Sequence, residues 1–518
     1  MQNQYHYQFV SSGLPEELHY INLKEVISHL KNHLNNFLLD PSVTACYINR
    51  IVQDKEILQD KEALSFLKYL LNKYIQLDPF DLNVLSLLIQ IDPQEWIRKR
   101  ISIIRKYAKN KIIDKINDIV KTNNEKSRHI LHTLIKDNPD NILLAQKALL
   151  LDYLKGIAPG QWINYFKCPQ ELSLLWKIYL FEHYAKLNII EEAYKLWNNI
   201  YNDLNLKENT LNLAAEILVK CGKLEQAISC YKKSLKLDKL QIPVKLRLKQ
   251  LESPLPLNKE LLISKKVNIY LYTYNKEKFL LKTLKSLLNT DIGNSQITVL
   301  LNGCTDNSKE ILKKFNTIKT IELPINIGAP AARNWLIAQE DTWKCDYIAF
   351  LDDDITLSKN WLINFLNVAE QDQKTAVVGG KILFPQKPSR LQYLYRNFSI
   401  IRKDLLRISL DAPNNQFDNN VYDFVRETWN VMGCCHLLKT SALKKVPYFD
   451  IRFSPSQMDD IAHDIELKLK GYRIKYCGLV SIVHYQNSGI KGREDYAKFG
   501  NVIGNDVKFF YKFISLLT

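Results

Sequence analysis

Residues 346–355 read Asp-Tyr-Ile-Ala-Phe-Leu-Asp-Asp-Asp-Ile. Residues 347–351 are a short, uninterrupted apolar run, the pattern of a strand buried on both faces. Three carboxylates follow where that strand would end. Adjacent carboxylates repel each other unless something neutralises them, and a divalent cation does so. In open α/β sheets the ligand crevice lies outside the carboxyl ends of the strands. A buried strand emptying into Asp352, Asp353 and Asp354 therefore points to a metal site that holds a phosphate-bearing ligand. A solvated acidic turn is the alternative, and the surrounding sequence weighs against it.

Upstream of this strand, apolar runs alternate with helical periods. Residues 267–272, 297–301 and 320–323 read as strands. Amphipathic helices are predicted near 278–288, 308–315 and 330–338. Strands alternating with helices argue for parallel β-α-β units and a doubly wound sheet.

The first half of the chain has a different pattern. To about residue 250 it reads as helix after helix, with 3.6-residue periods at 62–74, 95–107 and 170–186. Asp78-Pro79 and Asn138-Pro139 separate such segments. Asn188, Ala193 and Trp197 recur 34 residues later as Gly222, Ala227 and Tyr231. That is the tetratricopeptide period, and these segments resemble that family. Small residues at 193 and 227 let helices approach, and the aromatics fill the space between neighbours. Lys239 stands where the repeat usually has proline, and a generic helical bundle is the alternative reading.

Ser253-Pro-Leu-Pro-Leu257 marks the change of pattern. The expected organisation is a helical, tetratricopeptide-like domain over 1–255, clearest at 180–245. A linker over 256–266, an α/β domain over 267–500 and a C-terminal tail over 501–518 complete it. The fold class is thus multidomain, an all-α repeat-like domain joined to a Rossmann-like α/β domain.

The 518 residues suffice for about two to four domains, and 46% hydrophobic residues can build real cores. No apolar run reaches the roughly 18 to 20 residues needed to span a bilayer. Residues 1–6 lack the charged-then-apolar pattern of a secretory signal. The nine cysteines are scattered without a Cys-x-x-Cys pair, which fits neither a zinc site nor a disulfide framework and suits a reducing cytoplasm. The net charge of +16 is mostly dispersed lysine. It reads as solvated helix faces, with attraction to anionic lipid headgroups as the competitor. No nucleic-acid-binding signature is present.

Five blocks follow the break in order: Val267-Asn-Ile-Tyr-Leu-Tyr-Thr-Tyr-Asn275; Asn302-Gly-Cys-Thr-Asp306; Asn326-Ile-Gly-Ala-Pro-Ala-Ala-Arg-Asn334; the acidic cluster; and Met458-Asp459-Asp460, with Gly471-Tyr472 eleven residues after Asp460. Together they resemble the family-two glycosyltransferases of the GT-A fold, over 267 to about 490. The resemblance implies a nucleotide-sugar donor.

It places Thr273, Tyr274 and Asn275 at the nucleoside, with Asn302 and Asp306 in the second loop. Leu301 stands where the family commonly has the aspartate that reads uracil, so the base is left open. Asn326, Gly328 and Arg333 would lie beside the diphosphate, Arg333 as a charge-assisted donor. Asp352 and Asp354 would hold Mn²⁺ or Mg²⁺, with Asp353 between them and Asp352 and Asp353 also towards the nucleotide sugar. His484 follows a strand-like run at 478–483, and relatives imply a third metal ligand there. Trp429 and Gly433 would form the acceptor-side wall.

An inverting transfer needs a carboxylate to take the acceptor hydroxyl's proton. Asp460 is the choice, Asp459 the second and Asp464 the third. The resemblance implies a metal-dependent, inverting, hexosyltransferase-like enzyme that glycosylates a hydroxyl in polysaccharide, lipopolysaccharide or glycoprotein assembly. The acceptor would be a glycan, a lipid-linked glycan or a protein. The helical domain suits a protein partner, with cytoplasmic location and peripheral contact with the inner membrane. Two other readings stay open: a non-catalytic scaffold with a degenerate transferase domain, and a nucleotidyltransferase releasing pyrophosphate.

Overall fold

The computed structural model describes residues 14–108, 125–404, 406–485 and 496–517. The signal reading at 1–6, and the parts of the proposed domains at 109–124 and 486–495, lie outside the described residues. No helix among the described residues is long and apolar enough to cross a membrane.

Helices fill the chain from Leu14–His19 to Ile242–Glu252. Their starts follow from side-chain caps. Asn22 accepts from Glu25 N while Glu25 accepts from Asn22 N, and Asp40, Asp60, Asp81 and Asn141 cap in the same sense. Such caps satisfy amides that the first helical turn leaves unpaired. The periods at 62–74 and 95–107 become helices Lys61–Leu77 and Glu95–Ala108. The third splits into a 3₁₀ turn, Gln170–Leu172, and helix Ser173–Lys186.

The 34-residue spacing has a backbone counterpart. Asn188 and Gly222 both take left-handed conformations, with φ of 60° and 72°. They turn helix Ser173–Lys186 into Ile190–Ile200, and Glu208–Lys220 into Leu224–Leu237. Ala193, Ala227, Trp197 and Tyr231 are all buried in one core.

After the break, a mixed sheet forms. Its strands are β1 (Val267–Thr273), β2 (Gln296–Asn302), β3 (Ile318–Leu323), β4 (Tyr347–Leu351), β5 (Ile355–Leu357), β6 (Thr375–Leu383), β7 (Leu391–Tyr393), β10 (Val425–Thr428), β11 (Cys435–Lys439) and β12 (Arg473–His484). The order is β10-β12-β6-β11-β4-β1-β2-β3, with β5 on β12 and β7 on β6. A separate hairpin pairs β8 (Phe398–Arg402) with β9 (Arg407–Leu410). β4, β1, β2 and β3 run parallel. From β1 the chain moves outward through β2 and β3, then returns to place β4 on the other side. This reversal opens a crevice at the carboxyl ends of β1 and β4. Every residue of β4 is buried, as its apolar run predicts. β11 lies antiparallel to β4 and to β6, and β12 parallel to β6. Residues 501–518, expected as a tail, belong for the most part to helix Tyr496–Leu517. Its Phe509, Phe510 and Phe513 pack with Ile461 and Ile465 of helix Asp459–Leu469.

The helical and sheet regions share core. Phe37, fully buried, stacks on Tyr395 at 5.4 Å and belongs to a core built mainly by the sheet. Val421 conversely sits in the core of the helices between Ser173 and Glu252. Leu38 N donates to Tyr422 Oη at 2.9 Å and Gln416 Nε2 donates to Leu38 O at 2.8 Å. Arg247 pairs with Glu216 and donates to Asp423 O at 2.8 Å. Phe37→Ala should therefore cost about 3–5 kcal/mol, as for other buried aromatics. Hydrogen exchange should rise in both helix Leu23–Asn36 and the segment around Tyr395. A rise in the helix alone would mean the two halves are mechanically separate.

Candidate active site

The carboxyl ends of β1, β2 and β4 meet helix Asp459–Leu469 across a cleft of about 650 Å³. Tyr272, Asn302, Asn326, Gly328, Arg333, Asp352, Asp353, Gly433, Asp459 and Asp460 all line it. Sites of this size are typical for small-molecule ligands. Tyr274, half exposed, stands at its edge.

On one wall stands Asp352, and the buried Asp354 and His484 converge on it from behind, with one ligand atom from each lying within 4.8 Å of the others. β12 pairs with β5 so that His484 sits opposite Ile355, and this register brings the histidine to the acidic turn. His484 Nε2 is 3.1 Å from Asp354 Oδ1 and 3.9 Å from Asp352 Oδ2. Both His484 Nε2 and Asp354 Oδ1 are buried without a hydrogen-bond partner. His484 Nδ1 lies 3.1 Å from Gln392 Oε1. With a cation bound, a proton on Nδ1, donated to that oxygen, would leave the Nε2 lone pair for the metal. An oriented imidazole with two hard oxygens suits a divalent cation, so these residues fit the metal.

Burial raises the Asp352 carboxyl, with Arg333 opposing. Burial also lifts Asp353 to about 6 against the pull of Lys276. Burial acts on Asp354 too, but His484 and Lys276 outweigh it and hold that group at about 2. Asp354 is thus the one of the three whose charged form its surroundings favour.

On the opposite wall, Asp459 and Asp460 are not ahead of the helix, as expected, but form its first turn. Carboxylates there meet the positive end of the helix dipole. The preceding Gln457 and Met458 are left-handed, with φ of 79° and 68°. Buried Asn505 clamps this turn by donating to Ser456 O at 3.0 Å and Gln457 O at 3.3 Å. The C-terminal helix therefore fixes how the acidic pair is presented.

The two carboxylates have separate surroundings. Asp459 is buried and ion-paired with Arg333; burial lifts it to about 6, with Arg333 opposing. Asp460 is partly open to the cleft. Its Oδ2 accepts from Gly433 N at 2.8 Å and its Oδ1 from Ile461 N at 2.9 Å. Asp464 lies behind the cleft, where it accepts from Asn430 Nδ2 at 2.9 Å and Val431 N at 3.1 Å. Burial raises its carboxyl well above the ordinary range.

Arg333 links the walls. Besides Asp459, it approaches Asp352 Oδ1 at 3.8 Å and donates to Gly433 O at 3.4 Å. Gly433 permits this close assembly. A Cβ there would meet Asp460 Oδ2 at 2.9 Å and Arg333 Nη2 at 3.0 Å. Gly433→Ala should displace both groups and lower kcat by about 10²-fold, the cost of misplacing reacting groups by roughly 1 Å. Donor affinity should change far less; an unchanged kcat would remove Gly433 from the site.

Several expected contacts have other duties. Asn302 Oδ1 accepts from Ile327 N at 3.0 Å and its Nδ2 donates to Asn326 Oδ1 at 2.9 Å. Both asparagines thus join the two loops that carry them, while still facing the cleft. Gly328 N also donates to Asn326 Oδ1, at 2.9 Å, and Gly328 adopts φ 83°. Asn275 binds Thr305 N at 2.8 Å, and Asp306 accepts from Glu277 N at 2.9 Å. Asn275, Asp306 and the buried Thr273 brace the rim and are not among the lining residues.

Trp429 also departs from its expected place on the acceptor-side wall. It packs on Phe398 at 4.8 Å, beneath Lys468, and does not line the cleft. Its ring completes the core under the C-terminal helix. Sequence reasoning missed Lys276, whose Nζ lies 2.8 Å from Asp354 Oδ2. Its only signal was a lysine directly after the Thr-Tyr-Asn strand end. It also missed Gln392, Tyr393 and Arg396, which line the cleft.

Residues 269–446 match the family described as "Glycosyl transferase family 2". A poly-beta-1,6-N-acetyl-D-glucosamine synthase of Staphylococcus epidermidis is 27% identical over 232 residues, which cover 43% of this chain and 52% of that protein. A poly(ribitol-phosphate) beta-glucosyltransferase of Bacillus spizizenii is 29% identical over 121 residues, 22% of this chain and 19% of that protein. A solved mannosyltransferase from Pyrobaculum calidifontis, in complex with GDP-Man and Mn²⁺, overlaps 58% of this chain and 81% of its own with a TM-score of 0.32 and 13% identity. The chain spans about half the length of the N-acetylglucosamine polymer synthase it matches. The family match ends before Asp459, Asp460 and His484, whose assignment rests on geometry. Residues 269–446 are a family-two glycosyltransferase domain, and a large helical region precedes it in the same chain.

Proposed function

We propose that the chain is a metal-dependent, inverting glycosyltransferase that moves a sugar from a nucleoside diphosphate to a hydroxyl acceptor. The observation that carries this reading is one cleft with two acidic walls. Asp352 lines one side, with Asp354 and His484 buried behind it, and Asp460 lines the other, with Arg333 between them.

Asp352, Asp354 and His484 would hold the divalent cation. When bound, it supplies a Lewis acid that stabilises negative charge on the departing diphosphate. Tyr272, Tyr274 and the loops joined by Asn302 and Asn326 would cradle the nucleotide. Asp460 has a carboxylate exposed to the cleft and oriented by two backbone amides. It would accept the acceptor's proton as that oxygen forms its bond to the anomeric carbon. The bond from that carbon to the diphosphate oxygen breaks at the same time, and the diphosphate keeps the electron pair. One displacement inverts the anomeric configuration. Arg333 would act mainly by holding Asp459 and the Gly433 backbone, so that the base keeps its place.

The relatives act on N-acetylglucosamine and ribitol-phosphate polymers, which supports a polysaccharide-type acceptor. The left-handed turns at Asn188 and Gly222 and the buried residues 34 apart support a tetratricopeptide-like reading of the helices. Such helix pairs suit a protein or glycan partner. A thermal-shift screen of nucleoside diphosphates and nucleotide sugars, with and without Mn²⁺, tests the donor assignment. A ligand that binds only the folded protein raises its melting temperature. At least one nucleotide sugar should do so only with Mn²⁺. No shift with any donor, while an unrelated ligand class stabilises, would contradict it.

A further inference from the structure

Among the described residues, Lys276 is the lysine ion-paired with the acidic turn. Its Nζ lies 2.8 Å from Asp354 Oδ2 and 3.3 Å from Asp353 Oδ1. The two carboxylates are almost fully enclosed, at 4% and 7% exposure, whereas the lysine side chain is 39% exposed. Asp354 therefore has two differently occupied oxygens. Oδ2 faces a cation on a movable stem, and Oδ1 faces His484 Nε2 with no hydrogen bond made.

We propose that Lys276 is a displaceable counter-ion that couples divalent-cation binding to nucleotide binding. This rests on the metal reading above. Buried carboxylates need a positive partner, and Lys276 provides one before the cation enters. A cation entering alone at Oδ1 sets a second positive charge against the ammonium held at Oδ2 and offers Lys276 no new anion. A cation entering with a nucleoside diphosphate offers one, since the phosphate oxygens would lie beside the same cleft wall. A lysine suits this exchange because it is a compact charge on a flexible four-carbon stem. Cation and diphosphate then strengthen each other's binding, and linkage makes the coupling reciprocal.

Isothermal titration of Mn²⁺ alone, and of UDP and GDP with and without Mn²⁺, into wild type, Lys276→Met and Asp354→Ala tests this. Without the competing ammonium, Lys276→Met should bind Mn²⁺ alone about tenfold more tightly. The increase in diphosphate affinity that Mn²⁺ confers should shrink by about tenfold, within the usual range of coupling between sites. Asp354→Ala should lose the Mn²⁺ signal, which assigns the heat to this site. Equal Mn²⁺ affinity in wild type and Lys276→Met overturns the counter-ion role. An unchanged diphosphate response overturns the coupling. If neither protein binds Mn²⁺ in any titration, the metal reading falls and this inference with it.

Discussion

Asp460→Asn should lower kcat by about 10²- to 10⁴-fold, the range for removing a general base, with donor affinity nearly unchanged. The amide keeps the size of the side chain and can still accept from Gly433 N through its oxygen. It cannot take a proton. Only the transition state needs that proton transferred, so the loss should fall on kcat and kcat/KM together. Steady-state kinetics beside a direct donor titration separates the two. Asp459→Asn should reduce kcat less and lower the melting temperature more, because it breaks a buried ion pair with Arg333 and leaves that cation uncompensated. Asp464→Asn should be the mildest for chemistry, since Asp464 lies behind the cleft. If Asp459→Asn abolishes turnover while Asp460→Asn leaves it intact, the base is the paired residue and the orientation of this wall has been misread.

Asp354→Ala should abolish metal-dependent binding of the nucleotide sugar and cut turnover by at least ~10²-fold, equivalent to several kcal/mol of lost transition-state stabilisation. Asp354 is the site's most firmly charged carboxyl, held at about 2 against the effect of burial by His484 and Lys276. Removing it strips one ligand from the cation and one partner from each of those residues. Raising the Mn²⁺ concentration should recover little of the activity, because the missing oxygen is not replaced. Full recovery at millimolar Mn²⁺ would show that Asp352 and His484 suffice.

β1, β2 and β4 were legible because they are buried on both faces and so read as nearly continuous apolar runs, whereas β3, at the sheet edge, is half exposed. β4 starts and ends where its run predicts. The acidic cluster was legible for the same reason: charge directly after such a run has to lie at a strand end. Asp352, Asp354 and His484 come together although 130 residues separate Asp354 from His484 in sequence.

What stayed illegible depends on topology rather than local pattern. The Arg333–Asp459 pair joins residues 126 apart, and nothing in either segment marks its partner. Trp429 adjoins β10, a strand at the end of the sheet order. An aromatic there can face either a ligand or a neighbouring helix, and the C-terminal helix decided it. That helix was read as a tail because its own pattern shows no partner, yet Phe509 and Phe513 find one in helix Asp459–Leu469. The pattern break at 253–257 marks where the secondary structure changes, not where packing stops. Phe37 is buried against Tyr395, 358 residues away in sequence. Lys276 escaped notice because a lone lysine after a strand is ordinarily a solvated one.

The most direct test of the central claim is release of nucleoside diphosphate from the donor that the thermal screen selects. Wild type and Asp354→Ala would be compared in Mn²⁺ and in excess chelator. The account predicts release by the wild type in Mn²⁺ alone, falling to background in chelator and in Asp354→Ala under both conditions. Undiminished release in excess chelator, or an Asp354→Ala rate equal to wild type, would contradict it.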